Sequence, residues 1–427
     1  MAMRKRRKFL LILFSSVLLL FLVAFAFIYF RVENSVTWKA PPSLFKNRDT
    51  ISRIDGTSIA TDSLTAYINS LITKVKVHGL AVSIINNSEL VYQNYFGFKN
   101  AKKSEPLNPG AVFYGASLSK TLFADVVMQL TEENRIHLDT PLYKYLKQPL
   151  YTYKTNFFQR FFGANNFDYE VLKNDERYKL ITARMCLSHT TGLPNWRWLE
   201  EDKKLKIKFA PGTRYSYSGE GMFLLQFVIE QITGKDFKDI AYEKVLAPLQ
   251  MKNSSFVWQR SYEGNYGVGH DGQGNDLRIP KPNVSNAAGS LTTTLEDYTQ
   301  FFQAVLKQDK PRYKKLIAPQ VRIKSKQQFG PNAWTDTNEN DSIKLSYGLG
   351  FGLFSTPYGK AFFKEGHLEG WQHYVVGFPE NGTGIVLLSN SDNAESIFKE
   401  LLEVTIANKY TPWYWENYIP YNDSLRQ

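Results

Sequence analysis

The sequence of 427 residues contains one cysteine and six histidines. Cys186 has no partner in the chain, which excludes a scaffold held together by disulfides. The histidines show neither an H-x-x-x-H pattern nor a carboxylate at the spacing typical of zinc sites. A G-x-G-x-x-G match at residues 267–272 is followed by glycine and proline rather than by a helix pattern, so no dinucleotide site is expected there. We therefore predict a protein without a metal centre or a cofactor.

The chain also lacks a broad excess of one charge sign. Its 52 basic and 40 acidic side chains give a formal net charge of +12 at pH 7, and residues 4–8 alone supply five of these positive charges. No second basic run follows, and a dispersed excess of this size is typical of a soluble surface. A nucleic-acid partner is therefore not expected. A hydrophobic content of 43% excludes a disordered chain and permits a large core.

Long apolar runs are absent apart from one. Residues 9–30, directly after the basic cluster, hold 22 residues without a charge, and a helix of that length would measure roughly 33 Å. A cleaved signal peptide is the alternative, because Ala24-Phe25-Ala26 resembles a cleavage site; the length of the apolar run favours an uncleaved anchor. Positive charge before the span predicts a cytoplasmic N-terminus. The sequence thus predicts a single-pass protein of the cell membrane with an extracytoplasmic (periplasmic) body.

The order of strand and helix patterns predicts an α/β fold of the α+β type. Two strand-like runs, 80–85 and 90–95, surround a turn signal, and a second such pair, 373–378 and 383–389, lies near the other end. One antiparallel sheet built from both chain ends, with helices on its faces, fits this order. The predicted organisation is a basic segment 1–8, a transmembrane anchor 9–30, a linker 31–61, a folded domain 62–407 and an aromatic tail 408–427.

A serine and a lysine at helical spacing form the most informative motif. Apolar residues recur at helical spacing through residues 122–130, so Ser117 and Lys120 lie at the start of a buried helix. Positions i and i+3 share a helix face, so Ser117 meets Lys120, whereas Ser119 points elsewhere. Burial lowers the pKa of a lysine, and a neutral amine beside a hydroxyl can serve as its general base. The alternative is a capping serine with an ordinary surface lysine.

Seven further motifs follow this pair along the chain. They are Leu138-Asp139-Thr140-Pro141, Leu187-Ser188-His189-Thr190-Thr191-Gly192-Leu193, Pro211-Gly212-Thr213-Arg214-Tyr215-Ser216-Tyr217-Ser218-Gly219, Ala288-Gly289-Ser290-Leu291, Tyr347-Gly348-Leu349-Gly350, Gly366-His367 and Leu388-Ser389-Asn390-Ser391. With these motifs, residues 63–405 resemble the serine β-lactamase and DD-peptidase superfamily, in the branch of the class C β-lactamases and their penicillin-binding and esterase relatives. The resemblance implies that superfamily's fold, with a helical subdomain beside the sheet.

The resemblance also implies an acyl-enzyme mechanism. Ser117 matches the nucleophile, Lys120 its partner, and Tyr217 the tyrosine of the family's Y-x-N motif, placed to exchange protons. His367 matches the first position of the K-T-G or H-x-G motif on the strand that borders the site. The backbone N–H groups of Ser117 and of a residue near Gly370 would then form the oxyanion hole.

Three departures from the family pattern bear on the substrate. Gly219 stands where Y-x-N has asparagine, and Glu369 stands where H-x-G has glycine. If Glu369 shares a strand with His367, its carboxylate faces the site and repels anionic substrates such as penicillins; a bulge that turns Glu369 to solvent is the alternative. The third departure is an aromatic-rich insertion within residues 147–180, which is expected to form a local mini-core rather than a substrate lid.

These motifs predict a membrane-anchored, extracytoplasmic serine hydrolase that cleaves an amide or an ester. Its expected partners are a small-molecule or peptide substrate, such as one derived from the cell wall, and the membrane that holds its N-terminal helix. The alternative is a catalytically weak penicillin-binding or sensor module that uses the same pocket. D-amino-acid peptides, esters and β-lactams all stay open as substrates.

Overall fold

The computed structural model describes residues 45–154 and 167–423 of the chain. The strands are β1 (Thr50–Ser52), β2 (Ser58–Ala60), β3 (Gly79–Asn86), β4 (Glu89–Asn100), β5 (Glu105–Pro106), β6 (Phe113–Ala116), β7 (Leu291–Thr293), β8 (Val321–Arg322), β9 (Ser346–Tyr347), β10 (Gly352–Thr356), β11 (Gly359–Leu368), β12 (Trp371–Phe378) and β13 (Thr383–Ser389). The α-helices are α1 (Thr61–Val75), α2 (Ser119–Glu132), α3 (Ala183–Leu187), α4 (Gly219–Thr233), α5 (Phe237–Ala241), α6 (Leu295–Lys307), α7 (Pro311–Leu316) and α8 (Glu395–Ile406). Shorter helical turns cover Leu142–Tyr145, Leu150–Thr152, Glu170–Asn174, Glu176–Leu180, Arg197–Leu199, Tyr242–Leu246 and Pro331–Trp334. Residues 259–264, with the turn Arg260–Tyr262, belong to a different compact unit from the other described residues.

A nine-stranded antiparallel sheet joins the two ends of the described chain. Its strand order is β5-β4-β3-β13-β12-β11-β10-β9-β8. The two ends meet where β13 pairs with β3, with Leu388 opposite Ala81 and Ile385 opposite Ile84. All residues of β3, β12 and β13 are buried, so both faces of the sheet centre are covered. The prediction of one sheet built from both chain ends is confirmed.

Helices and the C-terminal tail cover the two faces of this sheet. On one face, Leu64 and Ile68 of α1 and Phe398 and Leu401 of α8 share an apolar core with Trp413 of the tail. On the other face, α6 packs directly on the central strands. A Cβ built on Gly384 would lie 2.5 Å from the ring of Phe302, so glycine in β13 permits this close approach.

The tail and the end of the predicted linker are part of the folded domain. Trp413, Trp415 and Tyr418 are buried in the core on the α1 and α8 face, as expected for a tail that packs against the domain. Strands β1 and β2 pair with each other within the segment that the sequence assigns to the linker. The boundary between linker and domain therefore lies before Thr50 rather than at residue 62.

The helical part of the domain lies between β6 and β7 in sequence and contains α2 to α5. Around its insertion, Tyr153, Phe167 and Tyr169 place their ring centroids 4.9 to 5.6 Å from that of Phe227 on α4. The described flanks of the insertion thus form the expected mini-core. Four of its phenylalanines, at positions 157, 158, 161 and 162, lie outside the described residues.

The fold prediction is corrected in one respect, the transmembrane helix. Among the helices of residues 45–154 and 167–423, none is long and apolar enough to cross a membrane. The predicted span itself, residues 9–30, lies outside the described residues. The location of the folded domain outside the cytoplasm stays a prediction from the sequence.

A buried ion pair fixes α7 to α2, the helix that begins with the serine–lysine motif. The Arg312 guanidinium donates to Asp125 Oδ1 at 2.6 Å, and the side chain of Asp125 is fully buried. Removal of one partner from such a pair leaves an uncompensated buried charge. A pair of this kind therefore matters more for stability than a surface pair does.

We predict that Asp125→Ala lowers the free energy of unfolding, measured by urea titration, by about 3 to 5 kcal/mol. The matched control is Asp139→Ala, which breaks the ion pair with Arg184 at a carboxylate that is 70% exposed. That change should cost less than about 1 kcal/mol. Equal losses in the two variants would show that the Asp125–Arg312 pair has no special role.

Candidate active site

Ser117 occupies the sharp turn between β6 and α2. Ala116, the last residue of β6, has φ +46°, a left-handed conformation that costs free energy for a residue with a Cβ. Strand β6 is held by pairing with β7, where Ala116 lies opposite Leu291. The turn leaves Ser117 partly exposed, whereas Lys120, one helical turn further on, is buried. The serine is therefore accessible and its neighbouring lysine is not.

Lys120 and Ser117 are in direct contact, as the i, i+3 spacing predicts. Lys120 Nζ lies 2.9 Å from Ser117 Oγ and also donates to the carbonyl oxygen of Ala288 at 2.6 Å. Burial and the nearby positive charge of Lys364 lower the pKa of Lys120 well below its ordinary value, with Glu365 acting in the opposite direction. A lysine with so low a pKa loses its proton easily and can accept one from a serine hydroxyl.

Tyr217 connects this pair to a second lysine. The Tyr217 hydroxyl hydrogen-bonds Ser117 and lies 3.2 Å from Lys364 Nζ. Burial, followed by the negative charge of Glu365, raises the pKa of Tyr217 well above its ordinary value, so the phenol is protonated at neutral pH. The ammonium groups of Lys120 and Lys364 lie 4.9 Å and 5.0 Å from the centroid of the Tyr217 ring. Tyr217 is thus placed between Ser117 and both lysines.

Lys364 is a residue of the candidate site that the sequence motifs did not identify. It belongs to Lys364-Glu365-Gly366 on β11, which fits the K-T-G pattern three residues before the position assigned to His367. Its Nζ lies 2.5 Å from Glu365 Oε1, so the two side chains form a buried ion pair. The spacing of lysine and glycine in this tripeptide was the sequence signal that could have identified it.

His367 lies on the same strand but does not join this cluster. Its side chain is about half exposed and its Nδ1 lies 3.4 Å from Glu395 Oε2 on α8. Burial lowers the pKa of His367, but the hydrogen bond to Glu395 and the negative charge of that carboxylate raise it by more. The pKa of His367 is therefore higher than its ordinary value. The prediction that the His367 side chain borders the site is therefore corrected: the side chain of β11 that contacts Tyr217 is that of Lys364.

The backbone of β11 still brings His367 to the site. Lys364 Nζ lies 3.1 Å from the carbonyl oxygen of Glu365, so that carbonyl faces the cluster. Because N–H and C=O of one strand residue point to the same edge and alternate along the strand, the N–H of His367 faces the same way. A Cβ on Gly366 would lie 2.9 Å from the carbonyl oxygen of Gly115, so glycine lets β11 approach the serine turn.

Gly370 and Glu369 lie away from this edge, in the turn between β11 and β12. The N–H of Gly370 donates to Asp392 Oδ1 at 2.6 Å and is therefore not free to bind an oxyanion. Glu369 is exposed in this turn, so the premise that it shares a strand with His367 is wrong. The carboxylate close to the catalytic cluster is instead that of Glu365, which has only 7% of its side chain exposed.

Gly219, at the start of α4, lies directly against the indole ring of Trp196. A Cβ at this position would lie 2.7 Å from the Trp196 indole, which fills the space that an asparagine would need. Trp196 stacks on the half-exposed Trp198 with ring centroids 4.6 Å apart, and its own ring lies 6.0 Å from Lys120 Nζ. Arg197, between the two tryptophans, is anchored to the buried carboxylate of Glu220 at 2.7 Å.

His189 supports the tyrosine from behind. Its Nδ1 accepts a hydrogen bond from the N–H of Ser218 at 3.1 Å, and its ring centroid lies 4.3 Å from that of Tyr217. Burial, followed by the charges of Lys120 and Lys364, lowers the pKa of His189 well below its ordinary value, so the ring is neutral. His189 thus orders the loop by hydrogen bonding.

Comparisons with known proteins agree with this geometry. The β-lactamase family model matches residues 64–405. Protein flp of Staphylococcus aureus (strain MW2) is 22% identical over 379 residues, which cover 82% of this chain and 68% of that protein. A teichoic acid D-alanine hydrolase of Staphylococcus aureus (strain MRSA252) is 22% identical over 269 residues, 60% of each protein. An octameric penicillin-binding protein homologue from Pyrococcus abyssi superposes with a TM-score of 0.64 at 20% identity, over 84% of this chain and 80% of that one.

The chain therefore belongs to the β-lactamase family. The family model covers most of the described domain, from α1 to the end of α8.

The position of Lys364 beside Tyr217 generates a prediction about pH. Lys364→Met removes a positive charge that lowers the pKa of Lys120 and leaves Glu365, which raises it. The midpoint of the pH profile of acylation by a fluorophosphonate should therefore move to higher pH, by at least about one unit. The profile is measured as the labelling rate against pH.

The matched control is His367→Ala, which removes a half-exposed side chain from the same strand. It should leave the midpoint unchanged. A shift in His367→Ala with none in Lys364→Met would contradict the assignment of Lys364.

Proposed function

We propose that this protein hydrolyses an ester or an amide through an acyl-enzyme formed on Ser117. One observation carries the proposal: a buried lysine, Lys120, contacts the hydroxyl of an accessible serine at 2.9 Å while a second lysine lowers its pKa. This arrangement supplies a general base at neutral pH. The turn that exposes Ser117 gives a substrate access to its hydroxyl.

The residues support the following steps. Ser117 Oγ attacks the acyl carbon and its proton passes to the neutral amine of Lys120. The N–H groups of Ser117 and His367 face the oxygen on which negative charge develops. Tyr217, protonated and in contact with Lys364, donates a proton to the leaving oxygen or nitrogen when its bond to the acyl carbon breaks. Water then attacks the acyl-enzyme with the same residues in reversed roles.

The charges at the site favour a substrate without a carboxylate. Glu365 compensates Lys364 at 2.5 Å, and Lys120 loses its proton easily. The site, as far as the described residues form it, therefore offers no unpaired cation to an anionic group. Trp196 and Phe329, the latter 5.3 Å from the Tyr217 ring, add aromatic surface that suits a neutral or cationic group.

A D-alanyl group attached through its carboxyl carbon has these properties, since it presents an ammonium and no free carboxylate. The name of one relative, a teichoic acid D-alanine hydrolase, agrees with this choice. We therefore propose an acyl group of this type, neutral or with an ammonium, as the preferred substrate class.

We predict that Ser117→Ala abolishes labelling by a fluorophosphonate, detected by intact-mass analysis. Tyr217→Phe should slow labelling by roughly two orders of magnitude, because a proton-transfer partner is lost. Tyr215→Phe is the matched control: this tyrosine is also buried, beside the same histidine, and has no contact with Ser117 among the described interactions.

Ser119→Ala controls for the neighbouring serine. Ser119 Oγ donates to the carbonyl oxygen of Ala116 at 2.6 Å and accepts from the N–H of Leu291 at 2.9 Å, so its hydroxyl supports the turn. This variant should lose stability and keep its labelling. Label found on Ser119 in Ser117→Ala would refute the nucleophile. Labelling without turnover of any ester would favour a penicillin-binding or sensor module.

The second prediction concerns substrate charge. Glu365→Gln keeps the shape of the side chain and leaves the positive charge of Lys364 uncompensated. Acylation by a penicillin should rise relative to acylation by a neutral ester, by roughly tenfold, the effect of about 1.4 kcal/mol. The measurement is the ratio of the two acylation rates, and Glu369→Gln is the control because Glu369 is exposed in the turn. A gain in the control alone would show that Glu369, not Glu365, screens the substrate.

A further inference from the structure

A second cavity, of about 820 Å³, shares no lining residue with the active site. It lies at the edge of the large sheet, where α7 and the segment after it cross β8 to β11. Its volume falls within the range of cavities that bind small ligands, roughly 300 to 1,000 Å³. Nothing in the proposed chemistry uses it.

The floor of the cavity is a row of side chains that crosses four strands. The strand register places Arg322 opposite Ser346, Ser346 opposite Leu353, and Leu353 opposite Phe362. Paired residues of antiparallel strands share a face, so these side chains lie on one side of the sheet. The row thus runs from a cation at the sheet edge to two apolar residues further in.

The rim of the cavity is rich in positive charge. Lys314 on α7 and Lys344 before β9 line it, and neither is joined to a carboxylate by an ion pair within the described part of the chain. Arg322 is compensated by Asp341 at 2.9 Å. Lys360 and Glu380 also line the cavity and contribute one charge of each sign. The lining thus keeps two positive charges in excess, which equals the charge of Lys314 and Lys344.

We propose that this cavity binds an amphiphile with an anionic head. Lys314 and Lys344 hold the head group, with Arg322 beside them, and the apolar body lies over Leu353 and Phe362. A cationic amphiphile is disfavoured by the two free lysines, and a small anion leaves the apolar floor exposed to water. A free fatty acid and a lysophospholipid both present this chemistry.

The test uses the full-length protein and a fatty acid that carries a diazirine. After irradiation, mass spectrometry should locate crosslinks in residues 308–322 or 344–362. Competing laurate and lauroyl lysophosphatidate should suppress the crosslink, and dodecyltrimethylammonium should not, which tests the charge. The anion that competes at the lower concentration identifies the source. Mapping by peptide separates this cavity from any binding to the apolar segment 9–30.

Lys314→Gln with Lys344→Gln should reduce the crosslink at least tenfold. The matched control is Lys307→Gln with Lys315→Gln, two exposed lysines of α6 and α7 that do not line the cavity, and it should behave as wild type. Ala318→Trp, which fills the cavity, should abolish the crosslink without changing fluorophosphonate labelling of Ser117. No crosslink in these peptides of the wild type, or equal crosslinks in both double variants, would overturn the proposal.

Discussion

The site depends on the burial of two lysines and one glutamate around a tyrosine ring. Lys120 and Lys364 both place their ammonium groups about 5 Å from the Tyr217 centroid. Two like charges in such a space cannot both be stable, so one must be compensated and the other must lose its proton easily. Glu365 pairs with Lys364, and Lys120 is left as the group with a lowered pKa. The proposed acyl-enzyme chemistry depends on this division.

The surrounding fold maintains this arrangement through a strained backbone conformation and close packing of the backbone. Ala116 adopts a left-handed conformation so that Ser117 precedes a helix, and Gly366 brings β11 against that turn. Asp125 and Arg312 hold the far side of the same helix. The antiparallel sheet that joins both chain ends therefore serves to bring β11 and the serine turn together.

Two departures from the family pattern change different walls of the candidate site. Glu365 replaces a neutral residue in the middle of the lysine–glycine motif and pairs with Lys364. Gly219 gives its space to the Trp196 indole, so an aromatic surface stands where a side-chain amide would be. One departure changes the charge of the candidate site, and the other changes its shape.

The sequence by itself determined the elements and the serine–lysine pair. Periodicity identified β3, β4, β12, β13 and α2, and the i, i+3 spacing placed Ser117 beside Lys120, because both are local properties of a helix or strand. The local pattern did not show which residue of β11 faces Tyr217; the tertiary structure shows that it is Lys364. His367 and Lys364 are three residues apart on one strand, and the pleat sends their side chains to opposite faces. The turn at Glu369 and the contact of Trp196 with Gly219 likewise depend on segments distant in sequence, which no local pattern could position.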